Sequence, residues 1–347
     1  MEKEKKKVSI KRVLLSIACV ILTLVLVVLV AAAIFMDRIL GSINRAPEVQ
    51  ATLSSSEIEE LIQQDVTLGE DVTGPVFDAE EITMPTEVVE IEASDNIINF
   101  LLLGQDRRGG TRNGLTDVMM LCTINKETKT LTMTSFLRDL YVQIPGNYRN
   151  DKMNMAYPIG GFTMIDATLE ANFGVKVDGN VEVDFRQFAK IIDLLGGVDI
   201  ELNGAEALYM YEHFGYNVGK GVKHLNGEKA LAYARIRYID SDFNRTNRQR
   251  KVVTAIINQF KNASLTQLTD TLTAVLGMVT TDMTDAEIMK YALELAPLLK
   301  DLTIVSQHIP AEGTFTMGHV RDQNIVDCLF IQDYETNLKL LVDAHGG

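Results

Sequence analysis

The 347-residue chain has no tryptophan and only three cysteines, Cys19, Cys122 and Cys328. No two cysteines stand in a CxxC spacing, so the sequence indicates neither a zinc site nor a disulfide framework, and pairing of Cys122 with Cys328 stays open. The five histidines follow no metal-ligand spacing. The chain also lacks a P-loop, a GxGxxG that opens a helix, and a GxSxG motif, which argues against nucleotide binding and serine hydrolysis.

Basic residues are scarce in one long segment. Residues 46–95 contain fourteen Asp or Glu and no Lys or Arg, which equals the formal net charge of -14 for the whole chain. Pro47, Gly74, Pro75 and Pro85 interrupt this segment, so we predict an acidic stalk over 37–95. The remaining 96–347 is only mildly acidic, with one arginine-rich stretch, which predicts no nucleic-acid partner.

One uncharged apolar run, residues 13–36, is long enough at about 36 Å to cross a bilayer as a helix. Six basic residues precede it within 1–12, and acidic sequence follows. We therefore predict a cytoplasmic tail over 1–12, a single transmembrane helix, and an extracytoplasmic remainder on a cell membrane. A cleaved signal peptide ending near Ala31-Ala32-Ala33 stays an alternative, although the run is long for one.

The pattern of the remaining sequence predicts one α/β domain over 96–347. The runs 97–104, 117–125 and 131–137 read as strands, and the last two form a hairpin around the turn KETKT. Helices are predicted over 162–174 and near 225–237, 264–280, 285–300 and 334–344, with a further strand over 302–309. We interpret 151–161 as a loop and 204–224 as a variable excursion. An α/β or α+β sandwich around a mixed sheet follows.

Asp106 stands just after the first predicted strand and Asp117 at the start of the second. If these strands pair, the two carboxylates meet at one edge of the sheet, where hard oxygen ligands suit Mg²⁺. Loop aspartates more often cap turns than bind metal. Arg108 and Arg112 lie in the same loop, however, and Arg138 follows the third strand, so that the set resembles a pyrophosphate site.

The most cationic stretch, 233–251, carries five arginines: Arg235, Arg237, Arg245, Arg248 and Arg250. Arg245, Arg248 and Gln249 share one face of a predicted helix that Asn244 would cap, with an apolar stripe behind them. Guanidinium groups at a helix start favour phosphate or carboxylate ligands. A solvated basic helix start is the simpler alternative, and we expect Arg250 to face solvent.

Several motifs, in this order, resemble the LytR-CpsA-Psr (LCP) family of Gram-positive bacteria: NFLLLGQDRRG, LTDVMML, TSFLRDLYVQIPG, KMNMAYPIGG, VEVDFRQFAKIIDLLGGV, LNGEKALAYARIR and DFNRTNRQR. The motif core covers about 96–262, and 263–347 resembles the usual end of the same domain. The resemblance implies an α/β/α sandwich around a mixed, largely antiparallel sheet, with a prenyl chain between the sheet and helices.

The resemblance also implies an activity: Mg²⁺-dependent transfer of a glycopolymer, such as a teichoic acid or capsule, from undecaprenyl pyrophosphate to peptidoglycan, with Mn²⁺ as a possible substitute. Asp106 and Asp117 match the metal-site aspartates. The implied catalytic residues are Arg138, Arg235, Arg237, Arg245, Arg248 and Gln249, and Arg108 and Arg112 would contact phosphate. Leu115 stands where the family often has arginine, so whether Arg112 replaces that arginine stays open.

Two other functions would use the same site. A non-catalytic sensor or scaffold would bind polyprenyl pyrophosphates without turning them over, and a pyrophosphatase would pass the phosphoryl group to water. The two metal carboxylates favour catalysis, because a protein that only binds lipid would not need them. Neither the polymer nor a general base is identified by the sequence, although Asp139 and Asp242 are candidates for the base.

Overall fold

The structure is a computed structural model that describes residues 40–46, 56, 74–85, 88, 90–92, 94–105, 115–146, 149–237, 239–262, 274–321, 323 and 325–346. Five predicted features lie wholly or largely outside these residues: the cytoplasmic tail 1–12, the transmembrane helix 13–36, most of the stalk, the loop 106–114 with Asp106, Arg108 and Arg112, and most of the helix near 264–280. Within the described part of the chain, no helix combines the length and the apolar character needed to cross a membrane. Residues 44–347 group as one structural unit.

The described strands are β1 (Asn44–Arg45), β2 (Val76–Phe77), β3 (Ile97–Gln105), β4 (Thr116–Asn125), β5 (Thr130–Phe136), β6 (Tyr141–Val142), β7 (Asp151–Lys152), β8 (Gly179–Asp184), β9 (Val198–Leu202), β10 (Gly221–Leu225), β11 (Thr280–Thr281), β12 (Thr303–Ile309), β13 (Phe315–Val320) and β14 (Ile325–Ile331). The described helices are α1 (Ala156–Phe173), α2 (Phe185–Leu194), α3 (Gly204–Phe214), α4 (Gly227–Ala234), α5 (Asp242–Asn262), α6 (Asp285–Leu295) and α7 (Tyr334–His345).

Seven of the strands form a central sheet in the order β1-β11-β8-β3-β4-β5-β12. The predicted hairpin is present as β4 and β5, and its turn is closed by Asn125, whose Oδ1 accepts from the backbone N–H groups of Glu127 and Thr128 at 3.0 Å. A mixed α/β fold with a mixed central sheet is therefore confirmed. The sheet is not largely antiparallel, however, because three of its six pairings are parallel, with β8 beside β3 and β12 beside β5 among them.

Helices cover both faces of this sheet, because strand residues alternate between two apolar surfaces. Leu101, Leu103 and Met119 point to one face, where they pack with α1 and α7. Met120 and Met133 point to the other, where α5 and α6 pack on them. The central strands are consequently buried on both sides, as their continuous apolar sequence predicts.

Helix α1 begins six residues earlier than the sequence suggests, within the segment interpreted as a loop. Gly160 and Gly161 have non-helical backbone angles there, with φ of 62° at Gly161, so that the helix is kinked after its first turn. Glycine adopts such angles at little steric cost. The pair hides the helical periodicity from sequence analysis, which sees only the regular part from Phe162 onward.

Residues 204–224 are not an excursion, as the sequence suggested. They form α3 and the strand β10, which pairs antiparallel with β9. Together with α2, α4 and α5 these elements enclose a second apolar cluster that includes Ile200, Met210 and Tyr233. Helix α4 approaches α2 closely at Gly227, where an added Cβ would stand 1.8 Å from the carbonyl oxygen of Ala189.

The sequence did not predict the hairpin of β13 and β14, which forms a three-stranded sheet with β2. Its residues mix apolar side chains with Gly318 and His319, and the pairing contains an irregularity between Gly318 and Val320, so a regular alternation is missing. Cys328 lies in this sheet and Cys122 in the central one, and both are free thiols. Cys122 and Cys328 therefore do not form a disulfide.

A buried carboxyl links α1 to the sheet. Asp166 Oδ2 accepts a hydrogen bond from Asn180 Nδ2 at 2.9 Å, while its buried Oδ1 accepts none from the residues described here. Burial is the main cause that raises the pKa of Asp166, to about 7 from 3.8, and the charges of Asp282 and Glu170 add to it. The folded protein therefore holds a proton on Asp166 that the unfolded chain releases at much lower pH.

This proton makes stability depend on pH. Between about pH 4 and pH 7 the folded state binds one more proton than the unfolded state. The stability that protonated Asp166 contributes is therefore lost as pH rises through about 7. Replacing Asp166→Asn keeps the shape without the charge. We expect the melting temperature of Asp166→Asn, relative to wild type, to increase from pH 5 to pH 8, as measured by thermal denaturation. The exposed Glu212→Gln is the control, and parallel pH profiles for Asp166→Asn and wild type would contradict this account.

Candidate active site

Four segments that are distant in sequence meet at one edge of the central sheet. Asp117 opens β4, and Arg138 follows β5, which is its antiparallel neighbour. Arg237 follows α4, and Arg245 lies in the first turn of α5. Because strand ends and a helix start are fixed by the packed core behind them, these side chains are held without a long ordered loop.

One carboxylate oxygen joins two of the segments. Asp117 Oδ1 accepts from Arg138 Nη1 at 3.2 Å and from Arg237 Nη2 at 3.3 Å. Asp117 Oδ2 forms no hydrogen bond or ion pair with the other described residues. The predicted approach of Asp117, Arg138 and Arg237 is thus present in the structure.

A second set of charges lies beside this one. Arg138 Nε donates to Asp139 Oδ2 at 3.3 Å, and Lys152 Nζ lies 3.3 Å from Asp139 Oδ1. Lys152 is only 4% exposed, and its strand β7 pairs with β6, which follows Asp139 directly. Sequence analysis did not select Lys152 as a site residue. Its one signal was a lysine just before the apolar run that begins at Met153.

Arg245 is 3% exposed, and its Nη2 pairs with Asp242 Oδ1 at 2.9 Å. Its Nε and Nη1 are buried and have no hydrogen-bond partner within the described ranges. Burial lowers the pKa of Arg245, the charge of Asp242 raises it, and the nearby charges of Arg138 and Arg237 lower it further. Arg245 therefore belongs to the same cluster and offers two unused N–H donors.

Asp242 is the acidic member of this cluster with the clearest perturbation. Burial raises the pKa of its carboxyl, while the charges of Arg245 and Arg138 lower it in part. Asp242, rather than Asn244, is the first residue of α5. With Asn244 as the cap, the sequence placed the first helical residue at Arg245, which is three residues late.

The spacing suggested that Arg245 and Arg248 serve one ligand site from the same face of the helix. In the structure their side chains bind different carboxylates. Arg248 is 2% exposed, and its two Nη atoms bind both carboxylate oxygens of Asp240 at 2.8 Å, with a further bond from Nη2 to the carbonyl of Ile236 at 2.9 Å. Glu206 Oε1 of α3 lies 3.6 Å from Nη1. Burial lowers the pKa of Arg248, but Asp240 and Glu206 raise it overall. These contacts tie α5 to the segment before it.

The remaining predicted residues are placed as follows. Arg235 lies with its Cζ 5.2 Å from the centre of the Phe185 ring, a cation–π distance. Gln249 is buried on α5. Arg250, expected to face solvent, is instead buried, and that expectation was wrong. Asp106, Arg108 and Arg112 fall outside the described residues, so their roles stay predictions.

A metal ion would find one suitable ligand among the described side chains. The carboxylate of Asp117 is a hard oxygen donor of the kind that Mg²⁺ prefers. No group of three or more His, Cys, Asp or Glu with metal-binding geometry occurs among the described residues. Metal binding by Asp117, with Asp106 as the second carboxylate, therefore stays a prediction.

The contacts of Arg245 and Arg248 predict different consequences of mutation. Arg248→Met leaves Asp240 and Glu206 without their buried partner, so we expect the free energy of unfolding to fall by about 3 kcal/mol. Arg245→Met also removes the partner of Asp242, but it relieves the repulsion between Arg245 and the neighbouring Arg138 and Arg237, so we expect a smaller change. Denaturant unfolding of both variants measures this. An equal loss of stability in the two variants would contradict the assignment of Arg248 to holding the fold.

The sequence of the chain is similar to those of known proteins. The chain is 37% identical over 199 residues to a Bacillus licheniformis protein named polyisoprenyl-teichoic acid–peptidoglycan teichoic acid transferase TagU, covering 56% of this chain and 63% of the relative. It is 39% identical over 202 residues to the Bacillus cereus protein of that name, covering 57% and 64%. The matched part thus spans less than two thirds of either relative.

Solved structures agree with the fold. The structure described as TagT bound to LIIa-WTA has a TM-score of 0.60 and 28% identity, covering 79% of this chain and all of the other. The crystal structure of Bacillus subtilis TagT has a TM-score of 0.58 and 27% identity, covering 75% and 96%. The model of the LytR_cpsA_psr family matches residues 72–335. The chain therefore belongs to the LytR_cpsA_psr family.

Proposed function

We propose that this protein transfers a glycopolymer, such as a teichoic acid, from undecaprenyl pyrophosphate to peptidoglycan. The observation that carries the proposal is the surplus of buried or half-buried cations at one sheet edge. Arg138, Arg237, Arg245 and Lys152 lie among only three described carboxylates, and Arg245 keeps two buried N–H donors unused. Phosphate oxygens would satisfy both the charge and the donors.

The names of the relatives support this choice of substrate. The TagU proteins of Bacillus licheniformis and Bacillus cereus are named as teichoic acid transferases acting between polyisoprenyl-teichoic acid and peptidoglycan, and TagT has been solved with LIIa-WTA bound. The proposed location is the outer face of the cell membrane of a Gram-positive bacterium, where the segment 13–36 would anchor the domain with its N-terminus in the cytoplasm. The proposed donor and acceptor meet at that face.

In the proposed reaction a hydroxyl group of peptidoglycan attacks the phosphorus that carries the polymer. The new P–O bond forms as the bond to undecaprenyl phosphate breaks, and undecaprenyl phosphate leaves. Asp242 would accept the hydroxyl proton, because its raised pKa makes it a stronger base than an ordinary carboxylate and it lies beside Arg245. Arg138 and Arg237 would stabilise the charge on the phosphoryl oxygens.

A Mg²⁺ or Mn²⁺ ion, when bound by Asp117 and Asp106, would supply further positive charge next to the pyrophosphate. The arginine contacts of Asp117 use Oδ1, and Oδ2 is the oxygen we assign to the metal. Arg108 and Arg112, in the same loop as Asp106, are proposed to contact the phosphates. The prenyl chain is proposed to lie between the sheet and the apolar side of α1.

The test is transfer of labelled polymer from a synthetic pyrophosphate lipid to peptidoglycan fragments by the purified full-length protein. Asp117→Asn keeps the size of the side chain but weakens its hold on Arg138 and Arg237, so we expect transfer to fall by about 100-fold. Lys251→Gln, an exposed change on α5, is the matched control and should retain activity.

Two outcomes would contradict the proposal. Release of undecaprenyl phosphate with the polymer phosphate passed to water, and none to peptidoglycan, would make the protein a pyrophosphatase. Tight binding of the lipid by wild type without any turnover would make it a sensor or scaffold.

A further inference from the structure

Arg250 is a buried cation without an anion. Its side chain is 4% exposed, and no group in the described part of the chain accepts a hydrogen bond from its Nε or Nη1. Among the described residues it forms no ion pair, unlike Arg245 with Asp242 and Arg248 with Asp240. Burial lowers the pKa of Arg250 to about 10, with no compensating charge, so the guanidinium remains protonated at neutral pH.

The position of Arg250 follows from the packing of α5 on the sheet. Val253 and Ile257 of this helix pack with Leu131 and Met133 of β5. Arg250 precedes Val253 by three residues and therefore lies on the same side of α5. Ser135 is the next residue of β5 on that face, and the charge of Arg250 acts on His308, the strand partner of Ser135, so we infer that Arg250 lies near Ser135.

Ser135 supplies a second donor without a partner. Its side chain is 3% exposed, and its Oγ forms no hydrogen bond with any residue that the structure describes. Ser135 pairs across the sheet with His308 of β12, whose pKa is lowered by burial and by the charge of Arg250. His308 is thus neutral at neutral pH, and its ring packs edge-on against Phe243, which covers this end of the helix.

The groups around Arg250 and Ser135 include more hydrogen-bond donors than acceptors. Two guanidinium N–H groups and one hydroxyl are buried together without a described acceptor, and the net charge is positive. A water molecule would satisfy the hydrogen bonds but would leave a buried charge unpaired, which is costly. A small anion would satisfy both.

We propose that Arg250 and Ser135 bind one small monovalent inorganic anion, such as chloride, between α5 and the central sheet. The site lies about three residues along β5 from Arg138, so it is separate from the pyrophosphate site. A bound anion would fix the start of α5, and with it Arg245 and Gln249, against the sheet. The proposal goes beyond the transferase assignment and does not depend on it.

The experiment measures the melting temperature of the full-length protein in neutral detergent while sodium gluconate is replaced by sodium chloride at fixed ionic strength. Gluconate is too large for a site this buried. We expect the melting temperature to rise by about 3 °C once chloride exceeds its dissociation constant tenfold. The melting temperature of Arg250→Met should not rise with chloride. For Ser135→Ala the same rise should require a higher chloride concentration.

Lys251→Met is the matched control, because Lys251 is the exposed neighbour of Arg250 on the same helix, and it should keep the full chloride response. A wild type with the same stability in both salts, or an Arg250→Met variant with an unchanged chloride response, would overturn the proposal. If Glu312, whose charge acts on His308, is the real partner of Arg250, Glu312→Gln will lower stability while chloride has no effect. That result would overturn it as well.

A second measurement does not depend on any variant folding. Crystals of the wild-type protein grown in bromide should show an anomalous peak beside the Arg250 guanidinium. The absence of a peak there in a bromide-containing crystal would overturn the proposal.

Discussion

The shared carboxylate of Asp117 is the interaction on which the candidate site depends. Arg138 and Arg237 both donate to its Oδ1, and without it two guanidinium groups would face each other at the sheet edge. Like charges in a partly buried place repel strongly unless an opposite charge lies between them. In the same cluster, Asp139 forms an ion pair with Lys152, and Asp242 forms one with Arg245. The carboxylates keep the cations together without fully neutralising them.

This incomplete neutralisation is what makes the site suited to a pyrophosphate. The core of the domain fixes the ends of β4 and β5 and the start of α5, so the donors are in place before any ligand arrives. Preorganised donors cost no reorganisation when charge develops on a phosphoryl group. Arg248 contributes from a distance, because its bonds to Asp240 and to the carbonyl of Ile236 set the position of the first turns of α5.

Much of this could be predicted from the sequence because it depends on local pattern. The strands β3 to β5 and the strand β12 follow from alternation and apolar runs. Asp117, Arg138 and Arg237 could be selected as site residues because they stand at the ends of predicted strands and a predicted helix. Their mutual contacts are present in the structure, whereas their catalytic roles stay predictions.

Other features could not be predicted because they depend on packing between distant segments. Helical spacing puts Arg245 and Arg248 60° apart, yet one side chain turns to Asp242 and the other to Asp240. The burial of Arg250 depends on where β5 and β12 lie, which a helical pattern does not reveal. Lys152 reaches Asp139 only because two-residue strands pair there, and strands so short leave almost no signal.

The central claim is that the cation cluster recognises a pyrophosphate. Its most direct test compares the dissociation constants of a short-chain polyprenyl pyrophosphate and of the monophosphate with the same tail, measured by calorimetry on the wild-type protein. The account predicts that the pyrophosphate binds at least about tenfold more tightly, because only its second phosphate brings the additional charge and oxygens that the unused donors of Arg245 require. Equal affinity for the two lipids would contradict it.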